Sequence, residues 1–511
     1  MGEKMSTYYK KRVEHRLRGF FNVLKIVMQN KRGAIGIFIL TFFIFVAIAA
    51  PLIAPYDPLA IPKDLIASPL ALPSWIKYLP GYVNLSENLN PIMDPGFYTS
   101  TSLQEWEFSS NISGYYALPE YLSTEGSPSS GPGCVSINLT RSESAPIEVV
   151  FSKKFFYPFR NPPSKWVGSI YLKVDSSPNA SISVTDLNIT VFIRQNETIE
   201  TKLWSPQDGL LKRGENYTLG TWIKPSITGL KPYPKLIDSD ILDINRKVFS
   251  MPTNYTFGVK IACSEKVLNA TIYIDDLNLK LYGEVFGLLG TDKFGRDIFS
   301  QLIYGTRISL LVGFLGAVLS TCIGLIIGLI SGYFGGIMDE ILMRITDAFL
   351  VIPELPLLLV LVRVLGASLW VIILMISILG WMGFARIVRS QVLSLKERPF
   401  VDASRILGGS EFYIIFSVLT PNVMNLVYVT LAMSAPAAIY SEAYLSFLGL
   451  YPVEAMTWGR MLHDALLAPG GVQMWWWIIP PGLCIAAISI SFIFIGYALD
   501  EIFNPKLRER V

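Results

Sequence analysis

The sequence has 511 residues, 43 of them Lys or Arg and 40 Asp or Glu, giving a net charge of +3 and a mean hydropathy of +0.43. Hydrophobic residues make up 51% and charged residues 16%, against about 25% charged in soluble domains, so an ordinary soluble enzyme is excluded and a membrane class comes first. The small net charge argues against nucleic acid as a partner. Two His and four Cys, with no Cys-x-x-Cys pair, argue against a His-rich metal centre and a disulfide-dense scaffold.

Residues 1–32 form a basic tail carrying Lys4, Lys10, Lys11, Arg12, Arg16, Arg18, Lys25, Lys31 and Arg32. A helix crossing a hydrocarbon core roughly 30 Å thick needs about 20 apolar residues in succession. The charge-free run from Gly33 to Pro55 meets that test, and residues 33–56 are expected to be a first, retained transmembrane helix, too long and without the cleavage site of a removable signal.

Residues 57–286 change to the composition of a soluble β domain. Leu187, Ile189, Val191 and Ile193 alternate with Asn188, Thr190, Phe192 and Arg194; Phe257, Val259 and Ile261 alternate with Gly258 and Lys260; Leu277, Leu279 and Leu281 alternate with Asn278 and Lys280. Each run reads as a half-buried strand, and short strands between Ser, Pro, Asn and Gly turns predict an antiparallel sandwich. Asn-x-Ser/Thr acceptors occur only here, at Asn84, Asn111, Asn138, Asn179, Asn188, Asn196, Asn216, Asn254 and Asn269. They fit an extracellular, glycosylatable surface, although an Asn-, Ser- and Thr-rich domain also generates such triplets from composition alone. Cys134 and Cys263, the domain's only cysteines, are candidates for a disulfide in an oxidising exterior. Trp204, Trp222 and Tyr233 are candidates for stacking on sugars, although single aromatics in β domains more often belong to the core.

From residue 287 to 500 the apolar runs return and predict five more spans, at about 309–332, 346–366, 369–391, 422–446 and 476–499, for six in total. Basic residues mark the cytoplasmic side. The N-terminal tail, the segment with Arg386, Arg389, Lys396, Arg398 and Arg405, and the final residues 501–511 with Lys506, Arg508 and Arg510 fall on one side of a six-span chain, so both termini are expected in the cytoplasm. Glu354, an ionisable group at membrane depth, is a pore candidate, with Met433, Ser434 and Tyr440 added as polar or adaptable groups in central spans. Gly313, Gly316, Gly324, Gly328 and Gly332 predict a close-packed helix seam.

Two motifs carry a family resemblance. Before the second span stand Gly290, Thr291, Asp292, Gly295, Arg296, Asp297 and, further on, Arg307, whose charges can pair at short helical spacings. Within the polar segment 394–421 stand Asp402, Ala403, Ser404, Arg405, Gly408 and Pro421: an acid, two small residues, a Gly six positions after the acid and a Pro thirteen beyond it. The first resembles the signature of permeases in the dipeptide/oligopeptide/nickel class of ABC importers. The second resembles the EAA loop of ABC importer permeases, with Asp402 for the usual Glu, Ser404 for the second Ala and Thr420 for the Leu before Pro421. Further matches cover about 33–56 and 287–510, including Gly332 to Gly336, Ser446 to Leu450, and Trp458 with Gly459.

The resemblance implies a type I ABC importer permease fold, an all-α polytopic bundle into which the extracellular all-β sandwich is inserted. It implies a coupling helix around Asp402 to Gly408 that docks on an ATPase subunit. The implied partners are a second permease subunit, two ATPase subunits, an extracellular solute-binding protein and the lipid bilayer. No Gly-x4-Gly-Lys-Ser/Thr loop, His-Glu-x-x-His or Gly-x-Ser-x-Gly motif is present, and His15 and His463 stand alone. The chain is therefore expected to hold no cofactor and to catalyse no reaction, with ATP and Mg bound by the ATPase partners. Peptides are the first expectation for cargo and oligosaccharides the second; a membrane-anchored glycan-binding or glycan-active protein is the alternative of another class.

Overall fold

The computed structural model describes residues 25–60, 66–111, 119–128, 131–140, 147–176, 182–208, 211–212, 215–224, 226–228, 248–263 and 269–503. Most of the basic tail, residues 504–511, Asn179 and Tyr233 lie outside them. The chain divides into two compact units, Asp64–Thr291 and the remainder, Met1–Lys63 with Asp292–Val511.

The first unit is built of strands β1 (Glu107–Ser110), β2 (Pro119–Leu122), β3 (Cys134–Thr140), β4 (Ile147–Tyr157), β5 (Lys165–Ser176), β6 (Leu187–Gln195), β7 (Ile199–Trp204), β8 (Ser226–Thr228), β9 (Thr253–Cys263) and β10 (Asn269–Tyr282). They form two antiparallel five-stranded sheets, in the orders β1-β4-β9-β6-β7 and β2-β3-β10-β5-β8. Alternation decides what faces inward: Leu187, Ile189, Val191, Val259, Ile261, Leu277, Leu279 and Leu281 enter one core cluster. Phe192 departs from the sequence reading, which set it on the polar face of β6, because it is wholly buried. β6 lies inside its sheet, between β7 and β9, and the Arg194 guanidinium lies over the Phe192 ring, 5.2 Å from its centroid. Trp204 is buried in the core, whereas Trp222 is half-buried, edge-on to Tyr171 and Tyr273.

The disulfide expected between Cys134 and Cys263 is not formed; both are free, buried thiols. Cys134 opens β3 opposite Leu122, while Cys263 ends β9 in the other sheet, opposite Ile147 and Leu187. Burial pushes both thiols up to about 12, with the carboxylate of Asp275 adding to the effect at Cys134. Seven of the acceptor asparagines, Asn84, Asn111, Asn138, Asn188, Asn196, Asn216 and Asn254, have exposed side chains.

The second unit is helical: α1 (Lys31–Ile53), α2 (Ile298–Phe334), α3 (Gly336–Val351), α4 (Glu354–Leu365), α5 (Leu369–Leu379), α6 (Met382–Leu395), α7 (Pro399–Ile406), α8 (Thr420–Phe447), α9 (Trp458–Leu466) and α10 (Trp475–Phe503). Among the described residues, α1, α2, the continuous stretch Glu411–Phe447 and α10 are each long and apolar enough to cross a membrane. The expected third span, 346–366, is not one helix: α3 and α4 meet at a 91° bend. Pro353 sits at that break and withholds the N–H that a continuing helix needs. The fourth, 369–391, bends by 41° between α5 and α6, at Gly380 and Trp381. Six spans result only when each bent pair counts as one.

Glycines set how closely α2 is packed. A Cβ on Gly328 would lie 2.6 Å from the Ala385 carbonyl oxygen, and one on Gly332 2.9 Å from that of Arg389, both on α6. On the α8 side, a Cβ on Gly313 or Gly316 would press on Ile439 or Ala438 at 2.7 and 2.9 Å. Because lipid supplies no hydrophobic drive between helices, such backbone-distance packing is what holds them together.

Two outcomes are expected. Gly328→Leu overpacks the α2–α6 contact, costing on the order of 1–3 kcal/mol and lowering the thermal unfolding midpoint in detergent, whereas Gly383→Ala, which meets nothing within 4 Å, leaves it unchanged. Iodoacetamide at pH 8 spares Cys134 and Cys263 in the folded protein and alkylates both after denaturation without reductant; a bridge would leave them unreactive in both states.

Candidate coupling helix, polar network and bundle cavity

The segment between α6 and α8 folds as a knob. Pro399 takes the first position of α7, where its missing N–H costs nothing, and Asp402 lies in the first turn, where a negative charge opposes the helix dipole favourably. Val401 is the one fully buried residue of α7 and joins a cluster with Leu329 and Tyr333 of α2, Val388 and Val392 of α6, and Val423 of α8. The rest of α7 faces outward. Asp402 and Arg405 are exposed and 3.5 Å apart, an i,i+3 pair of small energetic value. Ala403 is exposed, and the Ser404 hydroxyl is turned back, donating to the Phe400 carbonyl at 2.9 Å.

At the tip, Ile406 and Leu407 are 85% and 87% exposed, and sequence reasoning did not single them out. The available signal was two large aliphatic residues in succession after the polar stretch Asp402–Arg405, at the end of an eight-residue helix. Gly408 follows at φ +85°, in the left-handed region that glycine adopts without strain, and the Ser410 hydroxyl caps the next helical turn by accepting from the Tyr413 N–H. Pro421 stands at the start of α8, directly after a π-helical stretch, Ile414–Leu419. The wider turn matches a proline that has no N–H to give, and the Thr420 hydroxyl donates to the Ile415 carbonyl five residues back, at 2.8 Å.

The second motif forms a buried polar network at the start of α2. The Asp292 carboxylate accepts from Arg296 Nε at 2.6 Å, from Gln301 Nε2 at 2.8 Å and from the Phe294 and Arg296 backbone N–H groups. Asp297 caps α2 through the Ser300 N–H and hydroxyl. Gly295 turns the chain at φ +77°. Gly290 and Thr291 end the β unit, where the Thr291 hydroxyl bonds the backbone of Ser68 and Ala71. Arg307 does not join the charge pairing expected of it; a turn and a half or more further along α2 than Gln301, it lies over the Tyr304 ring, 5.9 Å from its centroid.

The network's remaining partners come from α9. Asp464 accepts from Lys293 at 3.1 Å and lies 3.9 Å from both Arg296 and Arg460, and the Trp458 indole donates to the Leu302 carbonyl at 3.0 Å. Apart from the Arg460–Asp464 pair, which is local to α9, these contacts join residues more than 150 positions apart, beyond the reach of any local spacing. His463, isolated in sequence, contacts the Phe447 carbonyl through Nδ1 at 2.7 Å.

Of the pore candidates, Glu354 and Ser434 line a partly open cavity of about 450 Å³ between α2, α5, α8, the start of α6 and the α3–α4 bend. Met433 instead packs over Gly496 of α10, and Tyr440 stacks beside Tyr444. Among the described residues, no group of three or more His, Cys, Asp and Glu is placed to hold a metal.

Residues 324–509 match the family described as binding-protein-dependent transport system inner membrane component, and residues 22–71 match the N-terminal TM domain of oligopeptide transport permease C. Over 221 residues the chain is 41% identical to the oligopeptide transport system permease protein OppC of Bacillus subtilis (strain 168), covering 43% of this chain and 72% of that protein. It is 40% identical over 222 residues to the dipeptide transport system permease protein DppC of the same strain, covering 43% of this chain and 68% of that protein. Among solved structures, the inward facing MetNI methionine ABC transporter is similar over 42% of this chain and 98% of that chain, at 18% identity and a TM-score of 0.33, too low to carry an argument. With the charged signature, the knob between α6 and α8 and these identities in place, the chain belongs to the binding-protein-dependent transport permeases, in the dipeptide/oligopeptide/nickel class of ABC importers.

Proposed function

We propose that the chain is one of two transmembrane subunits of a peptide importer, forming half of a translocation path whose motion is driven by separate ATPase subunits. The observation that carries this reading is α7. It is a short helix rooted in the bundle by Val401, while Asp402, Arg405, Ile406 and Leu407 remain exposed. Small side chains at Ala403 and Ser404 let a groove close around it, the exposed aliphatic tip supplies area to bury, and the charged pair can exchange its internal contact for one across the interface. A push on α7 reaches α2 and α6 through the shared cluster.

In this reading each bent helix pair is one span, giving six, with both termini and α7 in the cytoplasm and residues 64–291 outside, where a solute-binding protein delivers cargo. The names of the relatives favour peptides over oligosaccharides, and nothing in the site favours a glycan-active protein. The β unit serves as a docking or shielding platform for the binding protein.

Two measurements test the reading. Asp402→Arg or Leu407→Asp lowers co-purification of the ATPase subunits at least about ten-fold, the loss expected when a charge is buried unpaired in an interface, while the bundle stays folded; unaffected association refutes the coupling assignment. In sealed, right-side-out vesicles of a cysteine-free background, a Cys introduced at Asn84 reacts with an impermeant maleimide and one introduced at Asp402 reacts only after permeabilisation; the reverse pattern refutes the orientation.

A further inference from the structure

The bundle cavity has a chemical character that membership of the family does not dictate. Its walls are mostly aliphatic or small: Gly316 and Ser320 of α2, Ile376 of α5, and Ser434, Ala438 and Ser441 of α8 are among them. Among the described residues, Glu354 is the only ionisable one in the lining. The 91° bend at Pro353 puts it there: α3 ends, the chain turns, and Glu354 enters the first turn of α4, whose dipole favours a negative charge at that end. One carboxylate oxygen lies 3.4 Å from the Ser441 hydroxyl. Ser434 and Ser441 are seven residues apart on α8, two turns, so both hydroxyls lie on one face.

Glu354 is exposed on the cavity wall, and among the described residues no cation pairs with it; in the reading above it lies at membrane depth, where an unpaired carboxylate is expensive to keep and marks a functional position. Elsewhere in the helical unit carboxylates have fixed partners: Asp339 bonds Arg389, Asp347 bonds Arg386, and Asp292 bonds Arg296. Among the described residues Glu354 has no ion pair, and its one side-chain hydrogen-bond partner is Ser441. The complement of one carboxylate flanked by hydroxyls, in a cavity of ligand-pocket size, is a small group that carries one positive charge and several N–H donors.

We infer that Glu354 is a specificity-determining residue that receives the free α-ammonium group of the cargo peptide as it passes, with Ser441 and Ser434 accepting its remaining hydrogens. This rests on the peptide-importer reading and adds a discrimination to it: a peptide whose amino terminus is blocked offers no charge and leaves the carboxylate unpaired in the cavity, the kind of loss a polar site penalises most.

The test uses the complete transporter, with partner permease, ATPases and binding protein, reconstituted in proteoliposomes. ATP-driven uptake of tri-alanine is compared with that of N-acetyl-tri-alanine. The wild type is expected to favour the free amine by about ten-fold or more, the worth of one hydrogen bond to a charged group. Glu354→Gln is expected to abolish the preference by slowing tri-alanine while leaving the acetylated peptide unchanged, and Glu354→Asp to restore it in part. Glu354→Ala, read the same way, serves where the amide variant does not assemble. A preference that survives Glu354→Gln or Glu354→Ala overturns the inference. A wild type that carries both peptides equally also overturns it and leaves the peptide reading standing, whereas a wild type that carries neither overturns both.

Discussion

The helical unit depends on how closely α2 can approach its neighbours. In lipid, apolar side chains gain nothing by leaving solvent for one another, so the bundle must be held by packing and by polar contacts. Gly313 and Gly316 admit α8, and Gly324, Gly328 and Gly332 admit α6, each at a distance where a Cβ would collide with backbone or side chain. With α2 fixed on both sides, the space left against α5 and the α3–α4 bend becomes the cavity, and the end of the α2–α6 seam at Tyr333 and Val392 becomes the seat of Val401.

This arrangement links the two ends of the proposed mechanism through packed side chains. Val401 touches the cluster containing Leu329 and Tyr333 on α2 and Val388 and Val392 on α6. Further along the same helices, Trp381 and Ala385 meet Gly324 and Gly328, and beyond them Gly380 and Met382 line the cavity. α6 also holds Asp339 and Asp347 of α3 through Arg389 and Arg386, which ties it to the α3 arm of the α3–α4 bend. The polar network around Asp292 and Asp464 fixes the opposite end of α2 to α9.

Composition and spacing made much of this legible. Continuous apolar runs located the helices because the bilayer imposes their length, and period-two alternation located β6, β9 and β10 because each has one face in a core. The acid-small-small-Gly spacing located α7. What stayed hidden was long-range or shape-dependent. Asp464 and Arg460 reach the Asp292 network across the fold, Pro353 converts an expected span into a right-angle bend, and Phe192 is buried because its strand has neighbours on both sides. The cysteine pairing failed for a related reason: being the only two thiols in a domain does not bring them to the same sheet.

The contact between the end of α1 and the start of α2 bears on how so large a β domain came to be carried. Val46, Ala50 and Ala54 of the first helix region pack with Ile303 of α2, and the Tyr56 N–H reaches the Ser300 hydroxyl at 3.4 Å. Within the bundle, the chain therefore leaves and returns at neighbouring points. A membrane core with its departure and return so close together is indifferent to what is strung between them, since the ends are already pinned and loop length adds little further entropic cost. The β unit can therefore change in size or sequence without retuning the bundle to which its two ends are joined.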